Sequence, residues 1–183
     1  LKAIRDLAAA AFSFGAQEFM AQTWGGDDVG VLLDHGLQLA SIDPRLVVKV
    51  PVTAAGLEAA TLLRAQGVRI CTTAIYSSHQ VVTSVSVGSE YAAPYLGRMT
   101  DAGKNGMAEV ERMQGIVDRM GSKTRVLVAS VRTAEQVGDL AARGCTTFTL
   151  SADVIKEMTT EPMTLSAAAD FEKAALTLSV ATS

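Results

Sequence analysis

Charge, aromatic rings and cysteine are all in short supply in this 183-residue chain. Charged side chains make up 19% of it, against about 25% in an ordinary soluble domain. They nearly cancel, with sixteen Lys and Arg against nineteen Asp and Glu and a net charge of −3. No basic excess is available to grip nucleic acid, and aromatics at 5% leave too few rings for a base-stacking platform. Two cysteines, Cys71 and Cys145, do not make a disulfide framework or a metal cluster. Both sit in apolar, strand-like stretches and read as small buried hydrophobes, which suits a reducing, cytoplasmic setting. No His/Cys/Asp/Glu spacing matches a metal site, and no apolar run reaches the roughly 18–20 residues of a membrane span. Leu1 to Ala16 contains Lys2, Arg5 and Asp6 without a cleavage pattern, so it is not a secretory signal. Neither G-x-G-x-x-G nor G-x-x-x-x-G-K-[ST] occurs, which removes the commonest nucleotide-binding turns.

What is present is hydrophobic residues, 49% of the chain, arranged in a regular alternation of strand-like and helical stretches. A helix over Leu1 to Ala16 comes first. Strands are predicted at Glu18–Trp24, Leu46–Val50, Val68–Ile75, Ser89–Leu96, Arg125–Ala129 and Thr146–Leu150. Helices are predicted between them at Val29–Ser41, Ala54–Gln66 and Met107–Met120, with a closing helix at Thr164–Leu178. Two Ser/Thr-x-x-Gln capping boxes, Ser77 to Gln80 and Thr133 to Gln136, open two more, and Ser151 or Asp153 caps Val154–Met158. Six strand–helix units with continuously apolar strands imply a parallel sheet covered on both faces. A (β/α)8 barrel and an open doubly wound sheet both fit. The missing nucleotide turns favour the barrel.

In parallel α/β folds chemistry gathers at the carboxyl ends of strands. The polar residues there are Gln22 and Thr23, Lys49, Thr72 and Thr73, Tyr95 and Arg98, and Ser130 and Arg132. Lys49 is the sharpest of them. It lies inside the apolar run Leu46-Val47-Val48-Lys49-Val50-Pro51, whereas the other five lysines fall in helices or loops. Desolvation there favours the neutral amine, a nucleophile towards carbonyls; the rival readings are a lysine that snorkels to the rim and a buried ion pair. Ser130 and Arg132, directly before the Thr133 box, place a hydroxyl, a guanidinium and free helix N-terminal N–H groups together, a combination that suits phosphate. Arg98 offers a second cation. The Tyr95 phenol is a candidate proton donor or water holder. His35 falls on a helix and His79 within a capping box, and Met107, Met113 and Met120 at helical spacing read as core.

Four segments carry a resemblance: Val47-Val48-Lys49-Val50-Pro51-Val52-Thr53, Thr72-Thr73-Ala74-Ile75-Tyr76, Ala93-Pro94-Tyr95-Leu96-Gly97-Arg98 and Ala129-Ser130-Val131-Arg132-Thr133. Their order and spacing, from about Glu18 to Lys173, resemble the transaldolase family, and within it the small fructose-6-phosphate aldolase group. The resemblance implies a TIM (β/α)8 barrel and a class I mechanism on a sugar phosphate. Lys49 matches the Schiff-base lysine, so no separate cofactor or metal is implied. Thr73, Gln22 and Tyr95 match the residues that hold the catalytic water, and Arg98, Ser130 and Arg132 match the phosphate grip. Gln22 and Tyr95 stand where transaldolases resemble Glu and Phe, so the pair leans towards aldolase. Gln22 has one more residue than usual between it and Lys49. Ring-stacked decamers of small family members imply a homo-oligomer, for which the closing helix with Phe171 offers a face.

The family pattern begins with a strand bearing an acid/base Asp and a second strand, neither of which is found here; Asp6 lies on a helix and is no substitute. The chain therefore reads as a single barrel domain, residues 1–183, that is N-terminally incomplete, so an organelle-targeting segment is invisible. The alternatives are a transaldolase passing the dihydroxyacetone unit to an aldose phosphate, a non-catalytic homologue with a structural role, and a different phosphate-binding barrel enzyme.

Overall fold

The computed structural model describes residues 1–181, and of residues 178–181 the backbone alone. A helix α1 (Lys2–Ser13) leads into β1 (Phe19–Gln22), α2 (Val29–Ala40), β2 (Leu46–Pro51), α3 (Ala54–Ala65), β3 (Ile70–Ile75) and α4 (His79–Ser86). Then come β4 (Tyr91–Pro94), α5 (Leu96–Asp101), α6 (Gly106–Arg119), β5 (Arg125–Val128), α7 (Ala134–Ala142), β6 (Thr147–Phe148), α8 (Ala152–Met158) and α9 (Pro162–Ala181). Among the described residues all six strands are parallel and lie side by side in chain order.

The sheet curls. Glu18, at the start of β1, hydrogen-bonds the Tyr91 phenol of β4, and one of its oxygens lies 3.9 Å from Arg125 of β5. In a flat sheet, strands three and four places apart are separated by roughly 14–19 Å. The result is part of a barrel, six strands with β1 and β6 as edges, and not a closed eight-stranded one. Strand parity then sorts the side chains. Val47, Cys71, Tyr91, Ala93 and Leu127 pack together on the concave face. Val48, Val50, Ile70 and Leu63 form one core against α2 and α3, and Val126, Val128, Met113 and Leu140 belong to another under α4 to α8.

Local chemistry explains most helix starts. Asp28, Thr53, Asn105, Thr133 and Ser151 each accept a hydrogen bond from an N–H in the first turn of the following helix. The Ser77 box is only half made: Gln80 Oε1 accepts from the Tyr76 and Ser77 N–H groups, while Ser78, the N-cap, makes no side-chain cap. The segment read as strand end and glycine loop holds a short helix, α5, because Leu96 and Met99 bury completely beneath it. Met120 is exposed rather than core, and α9 lies outside with Met163 and Phe171 facing outward. No helix among the described residues is long and apolar enough to cross a membrane.

Charged residues crowd the amino ends of the strands. Arg69 donates to Glu90 at 2.7 and 2.8 Å and also bonds Glu18; Arg125 bonds Glu90 at 2.8 Å and lies 4.0 Å over the Tyr91 ring. Burial pushes the Glu18 carboxyl up, but hydrogen bonds from Tyr91 and Arg69 outweigh it and hold it below the usual range. Hydrogen bonding from Arg69 holds Glu90 low as well. Burial, with the Glu18 oxygen accepting its proton, pushes the Tyr91 phenol up. Both carboxylates titrate lower folded than unfolded, so their stabilisation is complete above the ordinary glutamate range and disappears as pH falls through their folded values.

Arg69→Met is therefore expected to lose about 2 kcal/mol at neutral pH, with a difference from the parent that shrinks on acidification; a pH-independent difference in urea titrations contradicts this. Gly56 gives a second test, since a Cβ there would sit 1.9 Å from the Pro51 carbonyl oxygen, at the turn that follows the Lys49 strand. Gly56→Ala is expected to lose at least about 3 kcal/mol in the same assay.

Candidate active site

Lys49 sits on β2 with Val47 on its own face and Val48 and Val50 on the other, so parity sends its side chain to the concave side. It lines a cavity of about 580 Å³ together with Glu18, Met20, Tyr91, Leu127 and residues 147–150. The side chain is half-buried rather than sealed among apolar neighbours, because its face of the strand opens onto that cavity. Among the described residues no carboxylate forms an ion pair with it. Gln22 and Cys71 are its register partners on the flanking strands. Burial pushes the Cys71 thiol up to about 12, against the pull of the Lys49 charge, so it is an inert neighbour and not a second nucleophile.

Two residues up β3 from Cys71, Thr73 Oγ1 lies 2.9 Å from the Tyr95 hydroxyl. Two oxygens that share one proton leave the other free to donate, which is what holding a water requires. Tyr95 is further fixed by the edge of Tyr76, ring centroids 5.6 Å apart, and by the Arg98 guanidinium 4.9 Å over its ring. The Tyr76 phenol holds the Arg98 pKa above its ordinary value. The Gln22 amide donates instead to the carbonyls of Thr23 and Lys49, at 3.0 and 3.1 Å, beside the lysine but not bonded to the Thr73–Tyr95 pair. Thr23 and Thr72 turn away. Thr23 Oγ1 donates to the Lys49 carbonyl at 3.2 Å, and Thr72 is buried with its hydroxyl on Ser84 and the Tyr91 carbonyl. Thr72 and Thr73, neighbours on β3, point to opposite faces, so Thr72, like Thr23, takes a structural role while Thr73 meets Tyr95.

Beyond β5, Ser130 and Arg132 meet at Gly97 in the first turn of α5. A Cβ on Gly97 would lie 2.9 Å from Ser130 Oγ, 2.7 Å from Arg132 Nε and 2.6 Å from the Ser130 carbonyl oxygen. Glycine thus lets Ser130 and the Arg132 Nε pack directly against the backbone of α5, where a side chain would collide. The Gly97 N–H donates to Ser130 O at 3.0 Å and locks the two segments together. The helix N–H groups expected to be free are not all free, since Ala134 N–H donates to Glu157 of α8 at 3.0 Å and Gln136 N–H to Thr133. Arg132 is itself paired with Asp101 through both terminal nitrogens, one at 2.8 Å. Asp101 titrates below, and Arg132 above, its ordinary value because of that pairing.

Backbone strain falls at the same end of the sheet. Ala74 and Ser130 are the non-glycine residues in the left-handed region among the described residues, at φ 58° and 60°. Ala74 lies where β3 and β4 slip register between Thr72 and Ile75, and Ser130 follows the last pairing of β5, the Tyr95–Ala129 bridge. Such conformations persist where the surroundings impose them. The sequence reading missed Asp101, Tyr76 and Gly97. No local signal points to Asp101, whose partner Arg132 lies 31 residues away in the chain. No group of three or more His, Cys, Asp or Glu among the described residues is arranged to hold a metal.

The family described as Transaldolase/Fructose-6-phosphate aldolase matches residues 3–182. A protein of Agathobacter rectalis named "Probable transaldolase" is 33% identical over 137 residues, which are 75% of this chain and 63% of that protein. The chain thus spans under two thirds of the length of that curated relative. Crystal structures of GMP reductase from Trypanosoma brucei, with guanosine 5′-triphosphate and with guanosine 5′-monophosphate, superpose with TM-scores of 0.58 and 0.57 at 14% identity. They cover 74% and 75% of this chain and 34% and 30% of theirs, a likeness of fold alone.

Ser130→Gly separates strain from chemistry. Its stability is expected to stay within about 1 kcal/mol of the parent, because glycine relieves the left-handed backbone at an entropic cost. Ser130→Val is expected to lose about 2 kcal/mol or more in the same denaturation experiment.

Proposed function

The chain belongs to the transaldolase/fructose-6-phosphate aldolase family, and on that premise we propose that it works as a Schiff-base aldolase on a ketose phosphate, with Lys49 as its nucleophile. The observation that carries this reading is one lysine, on the concave face of a buried strand, lining a cavity and, among the described residues, in no ion pair with a carboxylate. An amine so placed adds to the C2 carbonyl of the ketose; the carbinolamine loses water and becomes an iminium. Removal of the C4 hydroxyl proton lets the C3–C4 bond break, its electrons moving into the iminium to give an enamine while an aldose phosphate departs. Protonation at C3 and hydrolysis then release dihydroxyacetone and regenerate the amine. The lysine is its own electron sink, and the reaction calls for no further cofactor.

The Thr73–Tyr95 pair, with Gln22 near Lys49, is assigned to the water that carries protons between these steps. Ser130, Arg132 and Arg98 are assigned to the phosphate. The second reading is a transaldolase, in which an aldose phosphate captures the enamine before it is protonated; the name of the Agathobacter rectalis relative favours it, while Gln22 and Tyr95 favour the aldolase.

Borohydride reduction in the presence of fructose 6-phosphate or dihydroxyacetone is expected to add the three-carbon mass at Lys49. Lys49→Met is expected to show no adduct and to lose turnover by on the order of a thousandfold. Equal labelling of the Lys49→Met protein overturns the assignment. Product formation that depends on added erythrose 4-phosphate selects the transaldolase reading.

A further inference from the structure

Tyr76 takes no direct part in the proposed chemistry, yet side chains from three sides converge on it. Its place follows from the strain just before it. Strict alternation from Cys71 and Thr73 would send Ile75 to the concave face. Ile75 is instead fully buried in the outer core with Val81 and Leu96, because the left-handed Ala74, where β3 slips register against β4, reverses the parity of the strand. Tyr76, next in the chain, emerges beside Tyr95, the two rings 5.6 Å apart and inclined at 78°.

The Tyr76 backbone is held from both directions. Its N–H donates to Gln80 Oε1 at 2.8 Å, and its carbonyl accepts from Lys104 Nζ at 2.8 Å. Lys104 also donates to Ser77 Oγ at 3.1 Å. Tyr95, Arg98 and Lys104 all belong to one continuous stretch, residues 95–104, built around α5. That stretch grips the Tyr76 backbone at one end and meets its ring at the other. The Tyr95 hydroxyl sits at the far end of its own ring, so a small rotation of the ring carries it away from Thr73 Oγ1, 2.9 Å away. The Arg98 guanidinium, 4.9 Å over the Tyr95 ring, restrains one face, and Tyr76 supplies a second restraint.

We propose that Tyr76 is a positioning residue: its ring, with the backbone clamped by Gln80 and Lys104, holds the Tyr95 phenol against Thr73 for proton transfer at the Lys49 adduct. The inference rests on the Schiff-base reading and on the assignment of Thr73 and Tyr95 to the catalytic water. Dihydroxyacetone isolates that step, since it carries no phosphate. Its ketone carbon becomes the iminium carbon on Lys49. A proton leaves the adjacent carbon for the held water, and the C–H electrons move into the iminium to give the enamine. In heavy water a deuteron returns to the same carbon, and hydrolysis releases deuterated dihydroxyacetone and the free amine.

The test combines three measurements on the full chain: borohydride trapping of dihydroxyacetone at Lys49, deuterium incorporation into dihydroxyacetone, and NMR of isotope-labelled tyrosine. With three tyrosines in the chain, Tyr91, bonded to Glu18 at the other end of the sheet, serves as the internal reference. Tyr76→Leu is expected to move the Tyr95 resonance and to slow incorporation about fivefold, the scale of an edge-to-face ring contact, with trapping unchanged. Tyr76→Phe keeps the ring and is expected to restore both the resonance and the rate. Lys104→Met removes one clamp, leaves every ring in place and is expected to slow incorporation by less than Tyr76→Leu does. A parental rate in Tyr76→Leu, a rate in Tyr76→Phe as slow as in Tyr76→Leu, a parental rate in Lys104→Met, or trapping that falls as far as incorporation each overturns the proposal. Parent protein that traps no dihydroxyacetone removes the aldolase reading instead. The Tyr95 resonance then decides the role of Tyr76 alone: movement in Tyr76→Leu with recovery in Tyr76→Phe supports it, and an unmoved resonance overturns it.

Discussion

A carboxylate that reaches across the inside of the sheet sets the curvature on which the site depends. Glu18 directly precedes the first strand, yet its partners are the Tyr91 phenol three strands away and Arg69, with Arg125 of the fifth strand close by. Parallel sheets twist without help, but twist alone does not bring strand one to strand five. The charges do so where each strand starts, and the fully buried Val47 and Cys71 fill the space above them. The bend imposed at the amino ends curls the sheet, so Met20, Lys49, Tyr91, Leu127 and Thr147, from five strands, line one cavity.

The two ends of the sheet divide their tasks. At the amino ends opposite charges pair with each other and titrate away from neutrality, which suits a scaffold. At the carboxyl ends, among the described residues, the polar groups are left with capacity to spare: a lysine in no ion pair and a phenol sharing one hydrogen bond with a threonine. Strain is confined to this end as well, at Ala74 and Ser130. Ala74 lies between Thr73 and Tyr76, and Ser130 carries the hydroxyl above Gly97, so each strained residue aims a polar neighbour or its own side chain.

Much of this was legible in the residues. The caps at Thr53, Thr133 and Ser151 are local hydrogen bonds within three or four positions, and the apolar strands declared themselves by composition. Lys49 stood out because a charge inside such a strand is rare. The parts that escaped are those decided by contacts distant in the chain. Helix α5 has a glycine at its second position and no side-chain cap, and it forms because Leu96 and Met99 are buried beneath it. Glu157 fills the α7 terminus from 23 residues away, which no local motif announces. Between Thr72 and Thr73 the choice of face follows from register against Lys49, and that register becomes visible only when the strands are paired.

Helix α5 joins the two halves of the rim. Its first residue follows Tyr95 directly, its glycine lets Ser130 and Arg132 pack close, its arginine lies over the Tyr95 ring, and its aspartate grips Arg132. Six residues thus link Tyr95 to Ser130 and Arg132, the groups proposed for the water and for the phosphate. Covalent bonds limit the distance between a sugar's carbonyl carbon and its phosphate, so the proposed site for both needs its two ends held at a matching separation. A short helix, with two side chains sunk into the core and its backbone tied to Ser130, meets that need better than the flexible loop its sequence resembles.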